Sequence, residues 1–331
     1  MRRVVVVSSY PPRHCGIGAY AAAQVEQLRS DGDDVLVISP VDGDGDVRIP
    51  FSGGRPFREA ERRSGPRDRV VVHFQPALYY RARSPLSKIA TSLALWRLCR
   101  TRPRTQLLVH EADRPARWRP DYALLRRAFA AGPALLFHTA RERHQLEAWY
   151  RIETRARLVD HRKGIRLTDR PSRDEARRAL GLATDDVVFV SPGFIHPDKG
   201  LERAVAALGD SGRLFVVGFV KDRTPGNVEY VRRLRDQIRR TDGAELVERF
   251  LEEGELDRWA AAADAVVLPY RRSWSSGALA RAQALGTPAI VSAVGGLPEQ
   301  ASERDVVVGD DAELAEALRR VTAERKGAAR R

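Results

Sequence analysis

The sequence predicts an α/β protein of two domains, each a mostly parallel sheet covered by helices. Three observations carry that prediction. Short continuous apolar runs alternate with longer helical patterns along most of the chain, as expected for strands buried on both faces. A glycine turn follows the first strand of each half: Gly16-Ile17-Gly18 after Val4–Ser8, and Gly193-Phe194-Ile195-His196-Pro197-Asp198-Lys199-Gly200 after Val187–Val190. Such a strand, loop and helix place backbone N–H groups and a helix N-terminus where an anion can sit. The length, 331 residues, also exceeds the roughly 250–300 residues at which a single core stops growing.

The elements follow in order. Val4–Ser8 is a strand, Ala19–Ser30 an amphipathic helix and Asp34–Ser39 a second strand. Residues 40–68, rich in Gly, Asp, Arg and Pro, read as a loop with short edge strands. Val70–Gln75, Gln106–His110 and Ala134–His138 are strands, separated by helices over Leu86–Arg100 and Tyr122–Ala131 and followed by one over Ala140–Trp149. Arg157–Val159 is a weaker last strand, and Asp174–Leu180 a short helix. The second array has strands at Val187–Ser191, Leu214–Phe219, Leu246–Phe250, Ala265–Pro269 and Pro288–Ser292. Its helices are Leu201–Leu208, Asn227–Arg240, Glu255–Ala262, Gly277–Leu285 and Asp311–Val321. The expected domains are 1–165, 166–310 and a C-terminal helix and tail over 311–331, with residues 326–331 frayed.

The hydrophobic content of 43% and charged content of 31% are ordinary for a globular protein. The first apolar run is too short for a signal-peptide core, and no run approaches the ~18 residues that span a bilayer. Cys15 and Cys99 are the only cysteines, which argues against a disulfide framework or zinc site and for the cytoplasm. The net charge of +13 comes from arginine spread along the chain with few aromatics interleaved, so nucleic acid is not the expected partner. Arg62-Arg63, Arg232-Arg233 and Arg239-Arg240 each have acidic neighbours, as solvated segments do. The alternative is attraction to a phosphorylated ligand or to the inner face of an anionic membrane, as peripheral association.

Several motifs stand in a specific order: Ser9-Tyr10-Pro11-Pro12 with Cys15-Gly16-Ile17-Gly18; the run Gly193 to Gly200; Leu268-Pro269-Tyr270; Ser276-Gly277; Ala284-Leu285-Gly286-Thr287-Pro288; and Gly295-Gly296-Leu297-Pro298-Glu299. Together they resemble glycosyltransferase family 4, most strongly from Val187 to Glu299. The resemblance implies a GT-B fold, two Rossmann-like domains facing across a cleft. It also implies a retaining sugar transfer from a nucleotide-diphosphate-sugar to an acceptor, whether glycan, lipid-linked or small-molecule. The donor belongs to the second domain and the acceptor to the first. No metal or other cofactor is expected.

Within that resemblance Lys199 supports the departing diphosphate, beside the field of the helix that Gly200 opens; the alternative is a surface lysine near a cap. His196 stands where close relatives usually carry arginine. Ser276-Gly277 offers N–H groups to phosphate or caps its helix without a ligand. Gly295-Gly296 forms a turn at the ligand site or a plain turn, and Glu299 binds a hydroxyl or caps a helix. In the first domain, Gly16 and Gly18 let the chain pass near donor and acceptor. His110, at a strand end where the family commonly has a histidine close to the transferred sugar, is the preferred catalytic residue there, ahead of His73 and His138. Glu111 and Asp113 orient an acceptor or cap the next segment.

One departure is clear. Many family members carry a Glu-x7-Glu pair whose second carboxylate binds ribose; those positions are Ser273 and Arg281 here. Arg281 reads as a solvated helix residue. The Asp-x-Asp runs at Asp31–Asp33 and Asp42–Asp46 read as turns. Two other functions remain open: a nucleotide-sugar-binding module without transferase activity, and another GT-B enzyme such as an epimerase. A dinucleotide oxidoreductase is disfavoured, because Gly16-Ile17-Gly18 lacks the third glycine of the fingerprint.

Overall fold

The structure is a computed structural model that describes residues 2–80, 84–112, 114, 116–220 and 223–329. The chain forms two compact units, Met1–Arg166 and Leu167–Arg331.

The first unit runs β1 (Arg3–Val7), α1 (Gly16–Ser30), β2 (Asp34–Ser39), β3 (Val47–Arg48), α2 (Arg55–Arg63), β4 (Arg69–Phe74), α3 (Pro76–Tyr79) and α4 (Pro85–Thr101). It continues with β5 (Thr105–Val109), α5 (Pro120–Ala130), β6 (Ala134–Phe137), α6 (Ala140–Tyr150) and β7 (Ala156–Leu158). The strands form one parallel sheet in the order β3-β2-β1-β4-β5-β6-β7. Val4–Val7 are buried on both faces, which is why this central strand reads as unbroken valine rather than an alternating pattern. The order reverses between β1 and β4, and the carboxyl ends beside such a switch point are where open α/β sheets take ligands.

The segment expected to be a loop over residues 40–68 contains α2 and a 3-10 turn over Ser52–Gly54. Its burial rests on Pro56, Phe57 and Ala60, too few apolar positions to outweigh the charged and glycine-rich surroundings in sequence. Phe57 and Phe51 pack on Tyr79 with ring centroids 4.8 and 5.3 Å away, so the helix is held by tertiary contact. Gly54, at φ 73°, has no room for a Cβ, which would lie 2.6 Å from that of Ala94.

The second unit runs α7 (Arg173–Leu180), β8 (Val188–Pro192), α8 (Leu201–Ala207), β9 (Arg213–Gly218), α9 (Pro225–Ile238), β10 (Ala244–Glu248) and α10 (Glu253–Ala262). It continues with β11 (Ala265–Leu268), α11 (Gly277–Leu285), β12 (Ala289–Ser292), α12 (Leu297–Gln300), β13 (Val306–Val308) and α13 (Asp311–Ala329). Its parallel order is β10-β9-β8-β11-β12-β13, with the switch point between β8 and β11. The sequence reading had no strand at β13, a three-residue edge element paired with β12. The C-terminal helix belongs to this unit: Leu314 and Leu318 are buried in its core beside Val205 and Ile290. Arg177 is fully buried and ties α7 to the sheet through Asp264 at 2.8 Å and the carbonyls of Ala262 and Asp186.

Candidate functional site

The carboxyl ends of β8, β11 and β12 bring the second-unit motifs together. Gly200 sits at φ 56°, and a Cβ there would lie 2.3 Å from the Pro269 carbonyl oxygen. Arg271 N–H donates to the Asp198 carbonyl at 2.8 Å. The His196–Lys199 loop is thereby stitched to the loop after β11, and Lys199 Nζ lies 3.8 Å from the centroid of the buried Tyr270 ring. That cation–π contact fixes the ammonium at the strand edge. His196 Nδ1 accepts from the Asp198 N–H at 3.2 Å, so one ring nitrogen is spent on its own turn.

Ser276 caps α11, its Oγ accepting from Leu279 N–H at 3.2 Å. Its own N–H donates to Gln300 Oε1 at 2.8 Å, and Gln300 Nε2 returns a bond to the Ser276 carbonyl at 2.7 Å. The Ser276 amide is therefore occupied, and among the described residues the Gly277 and Ala278 N–H groups at this helix entrance meet no acceptor. Gly295, at φ 56°, approaches so closely that a Cβ would lie 1.7 Å from the Ser273 carbonyl oxygen. Gly296 N–H donates to the Trp274 carbonyl at 2.7 Å. The glycine pair thus holds the 273–276 loop in place. Glu299 is exposed on the four-residue α12.

Arg281 is not solvated. It is 8% exposed and ion-paired with Asp257, itself fully buried, and with Glu253. Asp257 also accepts from the Thr168 N–H at 2.8 Å. A buried carboxylate on α10 needs a cation, so Arg281 serves the packing of α10 on α11.

In the first unit, Gly16 and Gly18 lie in the first turn of α1. A Cβ on Gly16 would meet nothing within 4 Å, whereas one on Gly18 would press on Tyr10 N at 3.3 Å. Gly18 is a close-packing position and Gly16 leaves open space at the helix entrance. His110 follows β5 but is not a lone strand-end histidine. Its Nε2 lies 3.0 Å from His73 Nδ1, and His73 Nε2 lies 3.0 Å from Gln24 Oε1. His138 follows β6 and stacks on His161 with centroids 3.9 Å apart. The ring of Tyr20 stands among all four, at centroid distances of 5.4–5.7 Å. Gly164 closes over it, where any Cβ would lie 2.0 Å from the ring.

Burial holds these imidazoles neutral. It pushes His73 down to about 3, with repulsion from His138 adding, and His161 likewise to about 3. His138 falls to about 4 through burial, opposed by its bond to the Val159 carbonyl and by Asp160. His110 lies well below the usual histidine range through burial, then through His73, His138 and His161. Sequence places His110 at a strand end and His73 and His138 in or at the ends of strands, but Tyr20, Gln24 and His161 carry no sequence signal of their own. Glu111 accepts from Gln75 Nε2 at 2.8 Å; Asp113 lies outside the described residues. The Asp-x-Asp carboxylates are engaged locally: Asp46 takes the Val37 N–H at 2.7 Å, Asp42 pairs with Arg13 and Asp33 with Arg69. Among the described residues no group of three or more His, Cys, Asp or Glu is placed to hold a metal ion, and no helix is long and apolar enough to cross a membrane.

Residues 185–324 match the family of glycosyl transferases group 1. A D-inositol 3-phosphate glycosyltransferase of Actinosynnema mirum is 41% identical over 154 residues, covering 41% of this chain and 34% of that protein. Its counterpart in Geodermatophilus obscurus is 36% identical over 217 residues, covering 60% and 47%. The chain thus matches half or less of the length of these curated relatives. Among solved structures, sucrose-phosphate synthase from Thermosynechococcus elongatus superposes with a TM-score of 0.72 at 17% identity, covering 98% of this chain and 91% of that one. HepE of Anabaena, in complex with UDP-glucose, gives 0.66 at 15% identity, again covering 98% and 91%. The fold is the α/β, two-domain GT-B class.

Proposed function

We propose that this chain, whose residues 185–324 match the family of glycosyl transferases group 1, moves a sugar from a nucleotide-diphosphate-sugar to an acceptor hydroxyl with retention at the anomeric carbon. The observation that carries the reading is the ammonium of Lys199 held over Tyr270 at the edge where the free N–H groups of Gly277 and Ala278 open α11. A fixed cation and helix-end amides stabilise negative charge as it develops on a departing phosphate. In the step, the bond from the anomeric carbon to the phosphate oxygen breaks and the acceptor oxygen bonds on the same face. The acceptor proton passes to the departing phosphate oxygen, so no separate general base is required. Lys199 and the α11 entrance supply positive charge, so no metal ion is invoked. We assign His110 a contact with the transferred sugar or the acceptor hydroxyl.

UDP-sugars are the first donors to test, because HepE was solved with UDP-glucose. D-Inositol 3-phosphate is the first acceptor, because the curated relatives are named for it. We infer work in the cytoplasm with peripheral contact to anionic surfaces, on the support of the +13 charge. A donor panel scored for released nucleoside diphosphate, with and without acceptor, is the test. Acceptor-dependent release from one donor supports transfer. Nucleotide binding without any release favours the second reading, a nucleotide-sugar-binding module, for which the absence of a ribose carboxylate at Arg281 speaks.

A further inference from the structure

Beyond the residues that meet ligand, the first unit contains a chain of polar contacts whose direction is set at its buried end. Tyr20 and Gln24 stand one turn apart on α1, on the face that covers β4 and β5. Gln24 Oε1 can only accept, so the 3.0 Å contact requires a proton on His73 Nε2. A neutral His73 then has a bare Nδ1, which can only accept the proton on His110 Nε2 at 3.0 Å. His110 is left with its own Nδ1 unprotonated. Among the described residues that atom has no hydrogen-bond partner, and His110 itself is only partly buried, at the carboxyl edge of the sheet. His73 is fully buried, whereas His110 is half-buried. The groups packed around the pair are Tyr20, His138 and His161, with Asp160 beyond them; Asp160 is bonded to Arg162.

We propose that Gln24 and His73 are positioning residues that hold His110 as a neutral imidazole with an outward-facing acceptor at Nδ1, which selects a hydroxyl and rejects a phosphate or carboxylate at that point. This rests on the reading that His110 meets a sugar or acceptor hydroxyl. A bare ring nitrogen accepts from O–H and repels an oxyanion, whereas an imidazolium would do the reverse. The first unit would thus take a polyol at His110 and leave anionic groups to the positively charged elements.

The test is the tautomer itself, read by long-range 1H–15N correlation on 15N-histidine protein at pH 7.5. Resonances are assigned with His73→Gln and His110→Gln. Both rings should carry the proton on Nε2. Protonation of His110 at Nδ1, or an imidazolium, overturns the proposal in the wild-type protein without any further variant. Gln24→Leu should convert His110 to a mixture of tautomers, and Gln24→Glu, which keeps an acceptor, should not. Once a donor is known, Gln24→Leu should lower kcat roughly 10- to 100-fold, the cost of losing a partner that fixes a functional ring. Nucleotide affinity should stay unchanged, and Gln24→Glu should restore most of the rate. An unaltered tautomer in Gln24→Leu removes Gln24 from the role. An altered tautomer with an unaltered rate refutes the positioning claim. No donor turned over by the wild type, with the tautomer as stated, sinks the transferase reading instead.

Discussion

The four-histidine cluster gives the first unit a stability that acid should remove well before it affects the second. His73, His138 and His161 sit at about 3, 4 and 3 in the folded chain, against about 6.5 in an unfolded one. Below 6.5 the unfolded state binds more protons than the folded state, so stability rises with pH. The contribution is present above 6.5 and is lost as pH falls from there toward 3–4. One group held neutral loses about 1.9 kcal/mol between pH 7 and 5, and three lose about 5–6 kcal/mol together. His110 adds in the same direction. That sum is a large share of the ~5–15 kcal/mol that holds a domain folded. The second unit has one histidine, His196, half exposed beside Asp198. Its carboxylates with lowered values, Glu175, Glu229 and Glu255, act only below the ordinary glutamate range. Hydrogen exchange should therefore show protection in β1, β4 and β5 collapsing from pH 7 to 5, while β8 and β9 hold. His161→Phe should flatten the first unit's profile by about 2 kcal/mol. A first unit whose exchange free energy is flat over that window, or that falls in step with the second, would refute the neutral-cluster account.

Three other outcomes are expected. Lys199→Ala should lower turnover roughly 10²- to 10³-fold, the usual cost of one charge-stabilising donor, with the second unit's exchange protection unchanged; a full rate with a confirmed donor removes Lys199 from the site. Gly295→Ala must displace the Ser273 carbonyl, which stands 1.7 Å from the new Cβ. Calorimetry should then find nucleoside diphosphate bound at least tenfold more weakly, an energy of about 1.4 kcal/mol, and unchanged affinity would detach the 273–276 loop from binding. Arg281→Met should destabilise the second unit by about 3–5 kcal/mol, because it leaves the buried Asp257 without its cation. Denaturation midpoints within error of wild type would mean that the ion pair contributes nothing.

What was legible in the sequence is what short-range pattern encodes. The valine run of β1, the capping serine of α11 and the glycines at 193, 200, 286 and 295 announce strands and turns because burial and positive φ leave few other residues suitable. Helix α2 and strand β13 escaped for the opposite reason, as did the single turn of α3. Helix α2 shows only Pro56, Phe57 and Ala60 to the interior and is held by Phe51 and Tyr79 from outside it, so its own sequence is mostly charge. Strand β13 is three residues at a sheet edge.

The same distinction separates the two halves of the candidate site. The second-unit loop carries its glycines and Lys199 in one contiguous motif, which a reader of sequence meets whole. Arg281 shows no sign of burial in its own helix, because its partners come from α10, 24 and 28 residues away. The first-unit cluster is dispersed further still. His73 is the penultimate residue of β4, and His110 and His138 follow β5 and β6; one histidine near a strand end says little. Three at the ends of neighbouring strands β4, β5 and β6 must converge on one side of the sheet's carboxyl edge, and that inference needed only strand order. Which way the protons lie among them did not follow from strand order. It follows from Gln24, whose carbonyl on α1 decides whether the exposed nitrogen of His110 gives or takes a hydrogen bond.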